Sequence, residues 1–340
     1  MSNKDNKVNW EVIEKYKQQE EFKCIWNPYG LPEITDPTET VYGIGVDVQP
    51  AWKIPEKIAV STTIVGSFYS KKGNPNHPTT IKEIYNSACE VCLAGAPIVH
   101  IHVRKDGYNV LDYDSFHEVI DPLRKEFPDV WFDGCMVPVS GNDEWETMVK
   151  LLKEGLLDST PINTTATYCG DSLFAKPPHV MIEKTRICQE FGVVPQIAVY
   201  CDGDIDNADR YLIKTGLLEK PYHFLILPAL PGGSPMPSAK GMVDSLTHMS
   251  NRIMEIDPGT VLMVCAAGRA SSYLATMAAL LGYNIRVGME DTVWKWPHKN
   301  DKIENNAEHF RNFKQLLGLL GREVATADEY RAMLGIPPKK

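Results

Sequence analysis

The chain reads as an α/β protein of the (β/α)8 barrel type (TIM-barrel architecture), preceded by an N-terminal extension. Three observations point there. From Lys57 onward, short β-branched runs alternate with longer amphipathic ones, eight of each. No Gly-x-Gly-x-x-Gly follows the first β-branched run, so a doubly wound dinucleotide-binding sheet is the runner-up arrangement. The second run ends on two histidines one residue apart, at the end of a strand where α/β proteins carry their chemistry.

The elements follow in order. Residues 1–56 lack the alternating pattern, being charged over 10–22 and rich in Trp, Pro and Gly over 26–30. They are read as an extension that packs on the main domain or on a neighbouring subunit. The barrel is placed at 57–321, with strands expected at 58–63, 98–103, 130–134, 161–165, 194–200, 223–227, 260–264 and 285–288. Helical periodicity fills the intervals at 79–94, 114–126, 143–154, 177–191, 205–216, 238–255, 269–281 and 304–320. Residues 322–340, with Pro337 and Pro338 near the end, read as a helix-turn and tail. A chain of 340 residues suffices for one such core.

Composition narrows the partners. Lys and Arg number 35 against 44 Asp and Glu, a formal charge of −9, which argues against nonspecific nucleic-acid binding. The polar start Met1-Ser2-Asn3-Lys4 leads into no apolar signal core, and no stretch is apolar for long enough to span a membrane. A cytoplasmic, soluble protein is expected. The eight cysteines, Cys24, Cys89, Cys92, Cys135, Cys169, Cys188, Cys201 and Cys265, are scattered through periodic segments and read as reduced, buried small hydrophobes.

Chemistry concentrates in two segments. In Ile98-Val99-His100-Ile101-His102-Val103 the period-two alternation sends both imidazoles to one face and the aliphatic residues to the other. The bland reading is a pair of hydrogen-bonded core histidines. Far downstream, Ile285-Arg286-Val287-Gly288-Met289-Glu290-Asp291 ends another strand on two carboxylates. Two His and one Glu with an open fourth position form the ligand set of catalytic zinc. Arg286 shares the parity of Glu290, and Asp291 is its nearest anionic partner, unless the pair is purely structural. Pro231-Gly232-Gly233 offers bare backbone amides, or a plain turn. Gly268-Arg269 opens a helix, suited to a phosphate or carboxylate, or is a simple turn with an exposed Arg. Trp294 and Trp296 form an aromatic cluster just beyond.

The segments Ala94-Gly95-Ala96-Pro97-Ile98-Val99-His100-Ile101-His102-Val103-Arg104, Pro231-Gly232-Gly233 and Ile285 to Asp291 closely resemble the β-keto acid cleavage enzymes, from about Lys57 to Met333. The resemblance implies a barrel holding one Zn2+ per subunit that converts a β-keto acid and acetyl-CoA into acetoacetate and a new acyl-CoA. It implies that His100, His102 and Glu290 hold the metal. It implies that Asp291, paired with Arg286, removes the proton between carbonyl and carboxylate, and that Pro231, Gly232, Gly233, Gly268 and Arg269 lie near CoA or the substrate carboxylate. A homotetramer is the implied assembly.

Departures from the family pattern bear on the substrate. Where members specific for 3-keto-5-aminohexanoate carry a glutamate for the amine, aligning Ile64-Val65-Gly66-Ser67-Phe68 places Phe68. An aromatic ring cannot offset desolvation of an ammonium by ion pairing. A β-keto acid with a neutral, apolar or quaternary-ammonium tail is therefore expected. Cys135 stands where a hydroxyl-bearing residue belongs, and Asn163 and Thr165 are expected to supply the missing donors. The alternative function is a zinc-dependent, amidohydrolase-like hydrolase; a metal-retaining sensor is a third.

Overall fold

The computed structural model describes residues 8–17, 50–137, 142–230 and 238–339. The chain divides into two compact units, Met1–Ile54 and Pro55–Lys340. In the first, the described secondary structure is a helix at Trp10–Lys17.

The second unit is a closed barrel of eight parallel strands. These are Val60–Thr63 (β1), Ile98–Ile101 (β2), Trp131–Gly134 (β3), Ser159–Asn163 (β4), Val194–Val199 (β5), His223–Ile226 (β6), Val261–Val264 (β7) and Asn284–Gly288 (β8). Each strand pairs with its sequence neighbours, and β8 closes on β1 with Arg286 beside Ser61 and Gly288 beside Thr63. That closure brings the end of β8 to the ends of β1 and β2.

The helices between and after the strands are Ile81–Leu93 (α1), Tyr113–Glu126 (α2), Asn142–Lys153 (α3), Pro178–Glu190 (α4), Asp202–Ala208 (α5), Ala239–Ile256 (α6), Ser271–Leu281 (α7) and Asn306–Leu319 (α8). Local chemistry sets several starts. Thr80 accepts from the Glu83 amide while the Glu83 carboxylate accepts from the Thr80 amide, and Asp112 and Asn305 cap α2 and α8. α5 begins earlier than its periodicity indicates and runs on into a π turn, Asp209–Ile213. No helix among the described residues is long and apolar enough to cross a membrane.

Strand parity sorts the core into two layers. Val99, Ile101, Phe132, Phe224, Ile285 and Val287 point outward and pack under the helices. Ile98, Trp131, Ala198, Leu225 and Met263 point inward and fill the lumen.

Two hairpins depart from the expected pattern. β2 stops at Ile101, and 103–110 form a hairpin whose strands are Val103–Lys105 and Tyr108–Val110. β4 starts and ends two residues before the expected 161–165, because Thr164 and Thr165 lead into a second hairpin, Ala166–Cys169 with Ser172–Ala175. Gly170-Asp171 is its two-residue turn, with Gly170 at φ +59°. That dipeptide is the signal by which the hairpin is recognisable in the sequence.

The last segment returns to the amino-terminal end of the barrel. Glu323–Val324 pairs in parallel with Lys57–Ile58, and a final helix, Ala327–Met333, lays Tyr330 and Leu334 against the lumen residues.

Candidate active site at the carboxyl ends of the strands

A cavity of about 210 Å3 opens at the carboxyl ends of the strands, and His100, His102, Arg286 and Glu290 all line it. Each imidazole is oriented by a second partner. His100 Nδ1 donates to Asp133 Oδ2 at 2.6 Å, and His102 Nδ1 donates to Asn109 Oδ1 at 2.8 Å, so both Nε2 atoms face Glu290. His100 Nε2 lies 3.1 Å from Glu290 Oε2, and His102 Nε2 lies 3.2 Å from Oε1. One potential ligand atom from each of the three residues lies within 4.8 Å of the others.

Glu290 occupies that position through two glycines. Gly288, at φ +139°, passes β1 so closely that a Cβ would sit 2.1 Å from the Thr63 carbonyl oxygen, and the chain turns there. A Cβ on Gly66 would lie 2.1 Å from Cγ of Glu290, so the glutamate side chain uses the space a side chain would fill. Arg104, buried, fastens the loop after β1 by donating to the carbonyls of Gly66 and Tyr69, and ties it to the turn of its own hairpin by donating to the Gly107 carbonyl at 3.2 Å.

Arg286 sits between two carboxylates. Its Nη2 donates to Glu290 Oε1 at 2.8 Å and to Asp291 Oδ1 at 2.7 Å, and Nε donates to Asp291 Oδ2 at 3.1 Å. Burial pushes the Glu290 carboxyl up, but Arg286, His100 and His102 together hold it well below its usual range. Burial dominates for Asp291, whose carboxyl is raised in spite of Arg286. Burial disfavours a charged His100, yet Glu290 and Asp133 lift its imidazolium to about 9.

The donor set fits a divalent metal. His100 Nε2 and Glu290 Oε2, 3.1 Å apart, are both buried and meet no other polar partner, an arrangement in which a shared cation would satisfy both. Arg286 pairs with Glu290 and Asp291 while Asp133 pairs with His100, and a dication held by His100, His102 and Glu290 would supply the positive charge that protons on the two raised imidazoles supply without it.

The remaining expected residues divide. Phe68, half-buried, Cys135 at the end of β3, and Asn163 at the end of β4 line the cavity. Asn163 Nδ2 donates to the Tyr200 hydroxyl at 2.9 Å. Thr165 is buried at the root of the second hairpin and is not among the lining residues. The early end of β4 carries it away. Asp291 is fully buried behind Arg286 and is likewise absent from the wall. Gly268 donates its amide to the Asp291 carbonyl at 2.6 Å, and neither it nor Arg269 lines the cavity. Arg269 donates to the Lys299 carbonyl and Asn300 Oδ1, with its guanidinium 4.5 Å from the Trp294 ring centroid. Pro231, Gly232 and Gly233 lie outside the described residues, directly after Leu230, which is on the cavity wall.

Sequence reasoning missed Asp133, Asn109, Tyr200 and Phe174. Asp133 carries a readable signal, a carboxylate inside the short apolar strand Trp131–Gly134. Asn109 and Phe174 belong to the two unrecognised hairpins. Phe174 packs edge-on to Tyr200, with centroids 6.3 Å apart.

Comparison with known proteins agrees with this architecture. A family model described as beta-keto acid cleavage enzyme matches residues 57–336. The chain is 33% identical over 286 residues to a 3-keto-5-aminohexanoate cleavage enzyme of Fusobacterium nucleatum, covering 83% of this chain and 98% of that protein. It is 23% identical over 302 residues to a 3-dehydrocarnitine:acetyl-CoA trimethylamine transferase of Rhizobium meliloti, covering 82% of this chain and 96% of that protein. Among solved structures, the apo structure of ObcA superposes with a TM-score of 0.62 at 18% identity, covering 77% of this chain and 66% of that one, a likeness of fold.

Proposed function

This chain belongs to the β-keto acid cleavage enzyme family, and from that premise we propose that it is a zinc-dependent β-keto acid:acetyl-CoA acyltransferase whose keto acid carries a neutral, apolar or quaternary-ammonium tail. The observation that carries this reading is the convergence of His100, His102 and Glu290 on one point of the cavity wall, beside Arg286. His100, His102 and Glu290 are the proposed ligands. The metal, when bound, supplies Lewis-acid polarisation of a keto oxygen.

The side chains supply the rest. Among the described lining residues Arg286 is the one guanidinium, suited to the carboxylate of a keto acid. Asp291 is the proposed base. Both its oxygens accept from Arg286. Because Asp291 lies behind Arg286, its role as base requires that a substrate carboxylate draw the guanidinium aside, which both frees an Asp291 oxygen and opens its path to the proton on the carbon between carbonyl and carboxylate. The raised Asp291 carboxyl suits this work, because a more basic carboxylate is the better proton acceptor.

Substrate choice follows from the wall. Among the described lining residues Glu290 is the sole carboxylate, and it is committed to the two histidines and Arg286. Phe68, Val137, Phe174, Leu225, Leu227 and Leu230 make the remainder largely apolar. A primary ammonium would be desolvated there without a partner, whereas an apolar tail gains by burial. Acetyl-CoA is proposed to enter past Leu230, with Pro231, Gly232, Gly233, Gly268 and Arg269 as its proposed contacts. Cys135 and Asn163 are proposed to contact the keto acid. The assembly is proposed to be a homotetramer, which sedimentation checks.

Purified protein supplied with zinc, acetyl-CoA and a panel of β-keto acids is expected to make acetoacetate, with aliphatic tails ahead of amine-bearing ones. No acetoacetate from any aliphatic, dicarboxylic, hydroxylated or trimethylammonium-bearing acid would overturn the reading. Turnover without CoA would instead establish a hydrolase.

A further inference from the structure

A chain of hydrogen bonds runs down the barrel lumen from His100 to the opposite mouth. Trp131 and Asp133 are two apart on β3 and share its inward face, and Ser159 on β4 stands level with Asp133. Trp131 Nε1 donates to Ser159 Oγ at 2.8 Å, and Ser159 Oγ donates to Asp133 Oδ1 at 2.9 Å. Asp133 Oδ2 accepts from His100 Nδ1. None of the four side chains is more than 2% exposed as a residue.

The direction of this chain is fixed by chemistry. An indole N–H can only donate, so it occupies a lone pair of the Ser159 hydroxyl and leaves that hydroxyl's one proton for Asp133. Both Asp133 oxygens are then engaged, which pins the carboxylate and, through it, the plane of the His100 ring. The indole is held in turn by the final helix. Tyr330 meets it edge-on at 5.3 Å, Arg331 lies 5.5 Å from its centroid, and the Tyr330 hydroxyl reaches His223 Nε2 at 2.7 Å.

We infer that Trp131 and Ser159 are positioning residues for the metal centre, and that the helix Ala327–Met333, at the far end of the barrel, sets metal affinity through them. The inference rests on the reading of His100, His102 and Glu290 as ligands. Groups that merely satisfied one another inside a core would affect folding stability without touching the affinity for metal.

The test is zinc titration of the metal-free, full-length protein against a chromophoric chelator, with the thermal midpoint of the metal-free form measured alongside. Ser159→Ala is expected to weaken zinc binding about 10-fold. Trp131→Phe, which keeps a ring against Tyr330 and deletes the donor, is expected to weaken it severalfold. Because the links act in series, the double variant loses no more than Ser159→Ala alone. Tyr330→Ala weakens binding in the wild-type background and has no further effect in the Ser159→Ala background. Wild-type zinc affinity in Ser159→Ala and Trp131→Phe, whatever their thermal midpoints, overturns the inference. So does full additivity. Should the wild-type protein take no zinc, or His100→Ala bind as well as wild type, the ligand assignment itself falls, an outcome distinct from failure of the relay.

Discussion

Replacing Gly66 by alanine perturbs the site without altering any group that binds metal or moves a proton. The new methyl would lie 2.1 Å from Cγ of Glu290, where ordinary contact begins at 3.4 Å, so the glutamate must retreat by about 1.3 Å. Yielding by the backbone is opposed, because Arg104 holds the Gly66 carbonyl by a hydrogen bond. Functional constellations tolerate displacements of about 0.5 Å. Zinc affinity is therefore expected to fall about 10- to 100-fold, and kcat/KM about 100-fold, or roughly 3 kcal/mol in the barrier. Overpacking adds a folding cost of about 1–3 kcal/mol. Chelator competition reads the first effect, acetoacetate formation the second and urea unfolding the third. A folded Gly66→Ala protein with wild-type zinc affinity and turnover would refute the placement of Glu290 against this loop.

Other perturbations separate the remaining roles. Glu290→Gln is expected to lose metal, whereas Asp291→Asn keeps metal and loses turnover by about 100-fold or more; loss of metal from both, measured by elemental analysis, would contradict the division between ligand and base. Phe68→Glu introduces a carboxylate on the cavity wall and is expected to move the substrate ranking toward amine-bearing keto acids. An unchanged ranking would mean that Phe68 does not meet the substrate tail. Acid stability follows from three buried histidines, of which His77, with its Nε2 3.2 Å from the Met289 carbonyl, is depressed by burial to about 4. His223, whose Nε2 faces the Tyr330 hydroxyl and the Gln196 amide, and His309, packed edge-on to Phe313, are each depressed by burial to about 4. The unfolded chain binds more protons than the folded one between the ordinary histidine value of 6.5 and about 4. The stability that each of these histidines contributes is therefore fully present above that window and falls as pH drops through it, by on the order of 3 kcal/mol. Urea unfolding with the same midpoint at both ends of the window would exclude this.

Spacing along the chain was enough for the architecture and for the three converging side chains. Period-two alternation puts His100 and His102 on one face whatever the surroundings, and the alternation of β-branched and amphipathic runs carries the barrel whose closure delivers Glu290 to them. The resemblance of the same segments carried the family. What the spacing did not hold is whatever depends on neighbours across strands. Asp133 supports His100 because β3 lies in register with β2, and Asn109 supports His102 because a hairpin folds back over the strand end.

Tertiary structure also decided which acidic and basic groups face the cavity. Asp291 and Arg286 are adjacent to the same turn, yet packing leaves Arg286 on the wall and Asp291 behind it. Thr165 was drawn into a hairpin, and Arg269 was spent on the loop at Lys299 and Asn300. Local periodicity fixes which way a side chain leaves its own backbone. Its contacts depend on strand register, loop closure and burial, which are settled only when the whole ring of strands closes.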